Sequence, residues 1–224
     1  MTVGSPGATR KGRARLLVVA GLVLLIVVGV VAYLSRPEPS VGSSAVAALE
    51  SATPTTSSAP PPAAVVPEAK APAEEVAPAR LEIPALKLDA TVAEVGVDAK
   101  TGEFDVPPSV DRVGWYRFGP GMTATAGSIV VAGHADSADQ GKGAFFRLSS
   151  LEPGDRMTLA GPDGTDRAFQ VVARERYSKT RIPLDKYFAR DGAPRLTLIT
   201  CGGPFDSKTR HYRDNIVVTA EPVS

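Results

Sequence analysis

The chain has 224 residues, 43% of them hydrophobic, and its 25 basic and 24 acidic residues leave a formal net charge of +1 at pH 7. A charge so close to zero supports neither bulk nucleic-acid binding nor an acidic partner. The residue types are unevenly distributed, and they divide the chain into three parts.

The first part combines a basic tip with an apolar run. The tip, residues 1–15, carries four positive side chains: Arg10, Lys11, Arg13 and Arg15. Residues 16–34 are uncharged, and as a helix these about 19 residues would span roughly 28 Å, close to the ~30 Å hydrocarbon layer. We predict a single-pass signal-anchor with a cytoplasmic N-terminus. A secretory signal cleaved near Ala45–Ala47 is the alternative, and it too exports the rest of the chain.

The second part, residues 35–79, is rich in Pro, Ala, Ser and Thr and contains no aromatic residue. Such a segment has too little apolar area to offset the entropy of ordering. We predict a disordered spacer, with a mucin-like stalk as the alternative. The third part, residues 80–224, holds every aromatic residue except Tyr33 and is long enough to form its own core.

Short apolar or alternating runs separated by turn signals dominate residues 80–224. They are LEIPALKLDATVAEVGV, VGWYRF, GSIVVAGH, DRMTLAG, RAFQVVARERY, RLTLITC and NIVVTAEPV. Because they are rich in β-branched residues and lack a long amphipathic helical pattern, they predict an all-β domain, either a closed barrel or a sandwich. We expect a short helix in 140–151 or 183–190.

Three polar residues fall at predicted strand ends. In SIVVAGH the alternation places His134 at the end of one strand, and in RLTLITC it places Cys201 at the end of another. Arg213 begins the approach to NIVVTA, where it would share a side with Asn215 and Val217. The three strand ends could therefore meet at one edge of the sheet.

Cys201 is the only cysteine, so it has no disulfide partner in the chain. A buried small hydrophobe is one interpretation. The other is a nucleophile, because a thiol needs only a nearby imidazole to be activated and to protonate a leaving amine. His134 is the better partner, since a strand end is more rigid than the loop that carries His211.

Arg213 could complete the chemistry of acyl transfer. A tetrahedral intermediate carries an oxyanion, and a fixed donor there is worth ~10²–10³ in rate. A charged surface loop with Lys208 and Arg210 is the alternative explanation. We expect no metal or cofactor, because one cysteine and two separated histidines do not form a ligand cluster.

The run TLITC, residues 197–201, together with His134 in VVAGHAD and Arg213 in YRDN, resembles the sortase family, whose signature is TLxTC with a His, a Cys and an Arg. The resemblance covers about residues 80–222. The tail CGGPFDSKTRHYRDNIVVTA is most similar to class F of actinobacteria, with class E as the near alternative. One departure is Ala135, where many sortases carry arginine after the histidine.

The resemblance implies a sortase β-barrel that cleaves an LPxTG-like C-terminal sorting signal between Thr and Gly, holds the product as a thioester, and passes it to a lipid-linked cell-wall amine. Cys201 would be the nucleophile, His134 the general acid and base, and Arg213 the oxyanion or substrate ligand. Thr200 would help to shape the substrate site, and segment 178–194 corresponds to the loop over the signal pocket. The domain would then lie outside the cell membrane, with exported proteins as substrates.

Two other functions compete with this one. A cysteine L,D-transpeptidase or cell-wall amidase also uses Cys and His outside the membrane, but its motif and chain order differ from His134 followed by Cys201. A tethered β-domain that binds a surface ligand, with an incidental thiol, is the non-enzymatic alternative.

Overall fold

The computed structural model describes residues 40–51, 75–98 and 104–223. The predicted tip 1–15 and anchor 16–34 lie outside these ranges, as does much of the predicted spacer. No helix in the described ranges is both long and apolar enough to cross a membrane.

Ten strands are present in the described ranges, together with two α-helices and three short 3-10 turns. The strands are β1 Arg80–Ile83, β2 Leu88–Val95, β3 Val113–Tyr116, β4 Ser128–Gly133, β5 Asp136–Ser137, β6 Gly141–Lys142, β7 Arg156–Ala160, β8 Asp166–Ser178, β9 Arg195–Asp206 and β10 His211–Pro222. The helices are α1 Ser43–Ser51 and α2 Leu184–Tyr187, and the 3-10 turns are Pro84–Leu86, Leu148–Ser150 and Lys179–Arg181.

Eight strands close into a barrel in the order β1-β2-β3-β4-β9-β10-β8-β7, and β5 and β6 form a separate small hairpin. The pairs β2–β3 and β4–β9 are parallel, while the other neighbours in the barrel are antiparallel. The all-β prediction is therefore confirmed, and the barrel replaces the sandwich alternative. The short helical turns at Leu148–Ser150 and Leu184–Tyr187 fall in the two ranges predicted for a helix.

Alternate residues of each strand point into the barrel and form its core. In β4 these are Ile129 and Val131, and in β9 they include Leu198, all at most 1% exposed. The residues between them, such as Val130 and Thr197, point outward, yet they too are buried. We call this second side of β4, β9, β10 and β8 the outer face, because other parts of the chain pack on it.

Residues 40–51 differ from the unstructured spacer that was predicted. Val41 exchanges two backbone hydrogen bonds with Arg174, of 2.8 and 2.9 Å, and the following helix α1 buries Val46 to 1% exposure. Its sequence, SSAVAALES, is rich in good helix formers and places one valine against β8. Averaging composition over residues 35–79 hid this short local signal.

The predicted ends of two strands also differ from the structure. Cys201 does not end its strand, because β9 continues to Asp206 and β10 already begins at His211. Gly202-Gly203-Pro204, a run of the kind that usually ends a strand, does not end β9. Instead Gly203 adopts a φ of 75°, and the pairing of the two strands shifts between Tyr212 and Asp214. A register shift of this kind lets a strand pass through residues that would break a regular ladder.

Candidate active site

The parallel pairing of β4 and β9 brings the segments that carry His134 and Cys201 to the same end of the sheet. The register joins Val130 to Thr197 and Ala132 to Ile199, and His134 directly follows β4, which ends at Gly133. Extended by two residues past this ladder, the register would set position 134 opposite position 201. Cys201 and His134 are both half-buried.

The row that contains Cys201 continues across two further strands. Cys201 pairs with Asn215 of β10, and Asn215 pairs in turn with Tyr177 of β8. Residues opposite each other in a sheet share a face. The outer face therefore presents Cys201, Asn215 and Tyr177 in order across β9, β10 and β8.

His134 is held in place at both its side chain and its backbone. Its Nε2 lies 3.0 Å from the carbonyl oxygen of Pro107, and its own carbonyl accepts a 3.0 Å hydrogen bond from Phe145. Because a carbonyl only accepts, this contact assigns the ring proton to Nε2 and makes Nδ1 the acceptor of the neutral ring. Gly143 packs so closely that a Cβ there would lie 2.3 Å from the His134 carbonyl oxygen.

Thr200 ties the strand of Cys201 to the strand of His134. Its Oγ1 donates a 2.7 Å hydrogen bond to the carbonyl oxygen of Gly133, and the residue is 5% exposed. The bond extends the β4–β9 pairing by one position beyond the last ladder pair. Thr200 faces the inner side of the sheet, opposite to the row of Cys201. Its hydrogen bond therefore stabilises the pairing of β4 and β9 without entering the outer face.

Arg213 lies in β10, in the hairpin that β10 forms with β9, and its side chain pairs with Asp206. Its guanidinium Nη2 is 3.4 Å from Oδ2 of Asp206, and its side chain is 65% exposed. Asp206 accepts hydrogen bonds from the backbone N–H groups of Lys208 and Thr209, which, together with Arg213, hold the pKa of its carboxyl below its usual value. The register shift interrupts the regular alternation that was expected from Arg213 to Asn215.

The second histidine lies away from the thiol. His211 opens β10, pairs with Asp206 and is exposed. Of the two histidines in the chain, His134 is the half-buried one, and it follows the strand that pairs in parallel with β9.

A second hydrogen-bonded pair adjoins the site and was missed by the sequence interpretation. Tyr212 donates a 2.5 Å hydrogen bond to Oδ2 of Asp136, two residues after His134. This bond is the main reason why the pKa of Tyr212 is raised to about 12, with burial and the negative charges of Asp136 and Cys201 adding to it. The pair fastens the segment after His134 to β10. Only the tertiary fold brings these two residues together.

A buried polar cluster on the outer face anchors segment 178–194. Glu175, 4% exposed, accepts hydrogen bonds from Tyr187 at 2.8 Å and Tyr177 at 2.9 Å, and Lys186 lies 3.4 Å away. Burial is the main cause of the raised pKa of both tyrosines. The segment therefore begins beside the row of Cys201 and is tied to the wall of the barrel.

A cavity of about 200 Å³ opens on the other side of β9. It is lined by Cys201 and Thr200, by Ile216 of the core, and by Arg176 and Tyr212. Nε of Arg176 is buried without a hydrogen-bond partner in the described ranges, 3.8 Å from Oδ2 of Asp214. The thiol residue thus borders both the outer face and this cavity.

The fold defines a class of protein: a closed eight-stranded β-barrel in which β9, the strand of Cys201, pairs in parallel with β4, the strand that His134 follows. A family model described as a Sortase domain matches residues 81–223, which is more than half of the chain. The chain belongs to the sortase family and is an enzyme of the sortase type. This assignment removes the other cell-wall enzymes and the non-enzymatic binding domain as alternatives.

Solved structures share this barrel. Pilus-related sortase C of Group B Streptococcus is 14% identical, with a TM-score of 0.51 over 68% of this chain and 70% of that chain. Sortase C-1 of Actinomyces oris is 20% identical, with a TM-score of 0.51 over 65% and 73%. A lid mutant of Corynebacterium diphtheriae sortase A is 21% identical, with a TM-score of 0.50 over 68% and 73%. No curated protein matches the chain.

Proposed function

We propose that the chain is a membrane-anchored class F sortase that cleaves an LPxTG-like signal between Thr and Gly and transfers the threonyl group to a cell-wall amine. The family supplies the coarser part, a transpeptidase that acts on sorting signals and amine acceptors. The tail from Cys201 to Ala220 and the Ala135 that follows His134 favour class F, and class E is the near alternative.

The observation that carries the proposed chemistry is the parallel register of β4 and β9. Extended past its last pair, this register would set His134 next to Cys201, and the contact of His134 Nε2 with the Pro107 carbonyl supports a fixed orientation of the ring. A nucleophile with an adjacent base that is itself oriented by a third group is the recurrent arrangement of covalent acyl transfer.

In the first half-reaction the thiolate of Cys201 attacks the threonyl carbonyl of the signal. A C–S bond forms, the C–N bond to glycine breaks, and the glycine nitrogen leaves with a proton from the His134 imidazolium. In the second half-reaction the acceptor amine attacks the thioester. A C–N bond forms, His134 takes a proton from the amine, and the C–S bond breaks to release the thiolate.

Arg213 would stabilise the oxyanion that each half-reaction generates. For this it must exchange its contact with Asp206 for one with the substrate. An exposed ion pair contributes only ~0–1 kcal/mol, so the exchange is inexpensive. Its guanidinium remains charged at every relevant pH, which suits this role.

The acyl part of the signal would lie along the outer face, under segment 178–194. Ala132 and Ile199 flank the row of Cys201 there and offer an apolar floor. The polar cluster around Glu175 holds the covering segment close to the thiol. Thr200 would shape the site indirectly, through its hydrogen bond to Gly133.

Location follows from the N-terminal sequence. The uncharged run 16–34 and the basic tip 1–15 support a single-pass anchor with its N-terminus in the cytoplasm. The catalytic domain would then face exported proteins and lipid-linked acceptors.

The test uses the compact unit Pro39–Ser224, which retains α1 on the barrel. Incubation with a library of LPxTG-like peptides, with and without an amine, should give cleavage between Thr and Gly, an acyl-enzyme mass on Cys201, and an amide product. Cys201→Ala should abolish all three and keep the unfolding temperature. Cleavage that survives in this variant would contradict the proposal.

A further inference from the structure

The cavity that Cys201 borders is lined in part from the inner side of the sheet. Thr200 and Ile216 line it from the inner side of β9 and β10, whereas Asn215 and Tyr177 belong to the outer row. At about 200 Å³ it is smaller than the roughly 300–1,000 Å³ of ordinary small-molecule pockets. The cavity can therefore hold only part of a ligand, such as the end that carries the reacting group.

Arg176 is the cationic group of this cavity. It pairs with Ile216 and so shares the inner face, where its side chain is 23% exposed. Among the described residues, Asp214 is the acid that forms an ion pair with Arg176, 3.8 Å from Nε and beyond hydrogen-bond distance, and that buried Nε has no hydrogen-bond partner in the same ranges. A guanidinium with such a weak ion pair can still donate two parallel N–H hydrogen bonds to a planar anion.

We propose that the cavity binds the acceptor amine, and that Arg176 pairs with a carboxylate which the acceptor carries close to that amine. The inference rests on the proposed function. By microscopic reversibility, the incoming amine takes the path of the leaving amine, on the opposite side of the thioester from the acyl chain. Since the acyl chain would lie on the outer face, the cavity is the remaining approach that Cys201 borders.

The surroundings of Arg176 favour a carboxylate of a short peptide. Phe145, Phe146 and Tyr212 bound the space, and the carboxylate of Asp136 is already engaged by Tyr212. Asp214 partly offsets the positive charge. The acceptor therefore competes with one loosely placed carboxylate, and neutralising Asp214 should strengthen its binding.

The experiment measures acceptor selectivity with the full-length chain in detergent. With one cleavable signal peptide, diglycine and triglycine are each compared with the corresponding C-terminal amide, and the amide products are quantified by mass spectrometry. The ratio of kcat/KM for acid over amide is independent of any overall loss of rate. We expect the acid to be preferred about tenfold for at least one length, the effect of one net charge-assisted hydrogen bond.

Arg176→Gln should reduce this ratio to about one, and Arg176→Lys should give an intermediate ratio, because lysine keeps the charge without the planar fork. Asp214→Asn should raise the ratio. Arg156→Gln, which removes an exposed positive charge from β7, should leave it unchanged. If Arg176→Gln does not fold, the ratios measured with Arg176→Lys and Asp214→Asn decide.

The inference is overturned if the wild-type chain prefers neither acid, if Arg176→Gln keeps the preference, or if Arg156→Gln abolishes it equally. These outcomes are distinct from failure of the proposed function. If the proposed function fails, the wild-type chain cleaves no signal peptide and forms no acyl-enzyme.

Discussion

The two halves of the β9–β10 hairpin differ in order and in burial. From Leu196 to Gly202 the strands pair in continuous register, and the outer row of Cys201 and Asn215 belongs to this half. Beyond it the register shifts, and the residues around Arg213 are mostly exposed. Cys201 is therefore part of a continuous ladder, which we call the rigid half, whereas Arg213 lies beyond the register shift on an exposed extension, which we call the looser half.

Changes on the rigid side should have the largest effect. We expect His134→Ala to lower kcat/KM for signal cleavage by ~10²–10⁴-fold, because it removes the group that activates the thiol and protonates the leaving amine. His211→Ala is the matched control, since that side chain is exposed at the far end of the hairpin, and it should leave cleavage near normal. Near-normal turnover of the His134 variant would remove this residue from the mechanism.

Substitutions in the looser half should lower the cleavage rate by removing a positive charge from the site. Arg213→Gln should lower kcat/KM by at least ~10²-fold, because the oxyanion loses its cation. Arg213→Lys should restore little of this loss, since an ammonium lacks the planar fork. Steady-state cleavage assays compare both variants at equal folded concentration.

Asp206→Asn supplies the control for Arg213. It removes the surface ion pair that holds the guanidinium, worth ~0–1 kcal/mol, so the rate should change by no more than about threefold. A loss as large as that of Arg213→Gln would mean that the ion pair itself, and not a mobile guanidinium, is required.

Thr200 tests the connection between the two strands of the rigid half. Thr200→Val leaves the buried Gly133 carbonyl without its donor, which should cost ~1–3 kcal/mol of unfolding free energy and lower the rate of the folded enzyme about tenfold. Thr197→Val removes a comparable buried hydrogen bond, in which Oγ1 of Thr197 lies 2.7 Å from Oγ of Ser128. Thr197 lies earlier in the same strand, farther from Cys201. It should destabilise the fold similarly and leave the rate of the folded enzyme unchanged; equal rate losses would contradict a local role for Thr200.

The sequence predicts the rigid half well and the rest less well. Alternation in SIVVAGH and RLTLITC is a local property, and it correctly separated the inner residues of β4 and β9 from the outer ones. The face assigned to His134, which lies beyond the end of β4, stays a prediction. All seven predicted runs contain barrel strands, because β-branched periodicity reflects burial on one or both faces. The barrel closure and the parallel β4–β9 pairing needed the structure.

Other features could not be predicted because they join residues distant in the chain. Tyr212 bonds to Asp136 across 76 positions, and Arg176 reaches the cavity from a third strand. The continuation of β9 past Gly202 depends on pairing with β10 and not on local propensity. The helix α1 was hidden in a segment whose average composition is that of a spacer.

The Tyr212–Asp136 bond links the looser half of the hairpin to the segment that follows His134, and its contribution to stability should depend on pH in a defined direction. The pKa of Tyr212 is raised to about 12, above the ordinary value of about 10, so the folded state favours the protonated phenol. The stabilisation is then complete below pH ~10 and is lost as pH rises through ~12. Because Tyr212 is only partly buried, we expect solvent screening to reduce the stabilisation to about 1 kcal/mol.

We therefore expect Tyr212→Phe to lower the unfolding free energy by a constant amount between pH ~7 and ~10, and the difference from wild type to shrink at higher pH. Denaturant unfolding at several pH values measures this difference. Asp136→Asn provides the complementary variant, because loss of the carboxylate should return the titration of Tyr212, followed by phenolate absorbance, toward pH ~10. A difference that stays constant beyond pH ~11, or a titration that Asp136→Asn does not move, would show that this bond does not link the histidine segment to the hairpin.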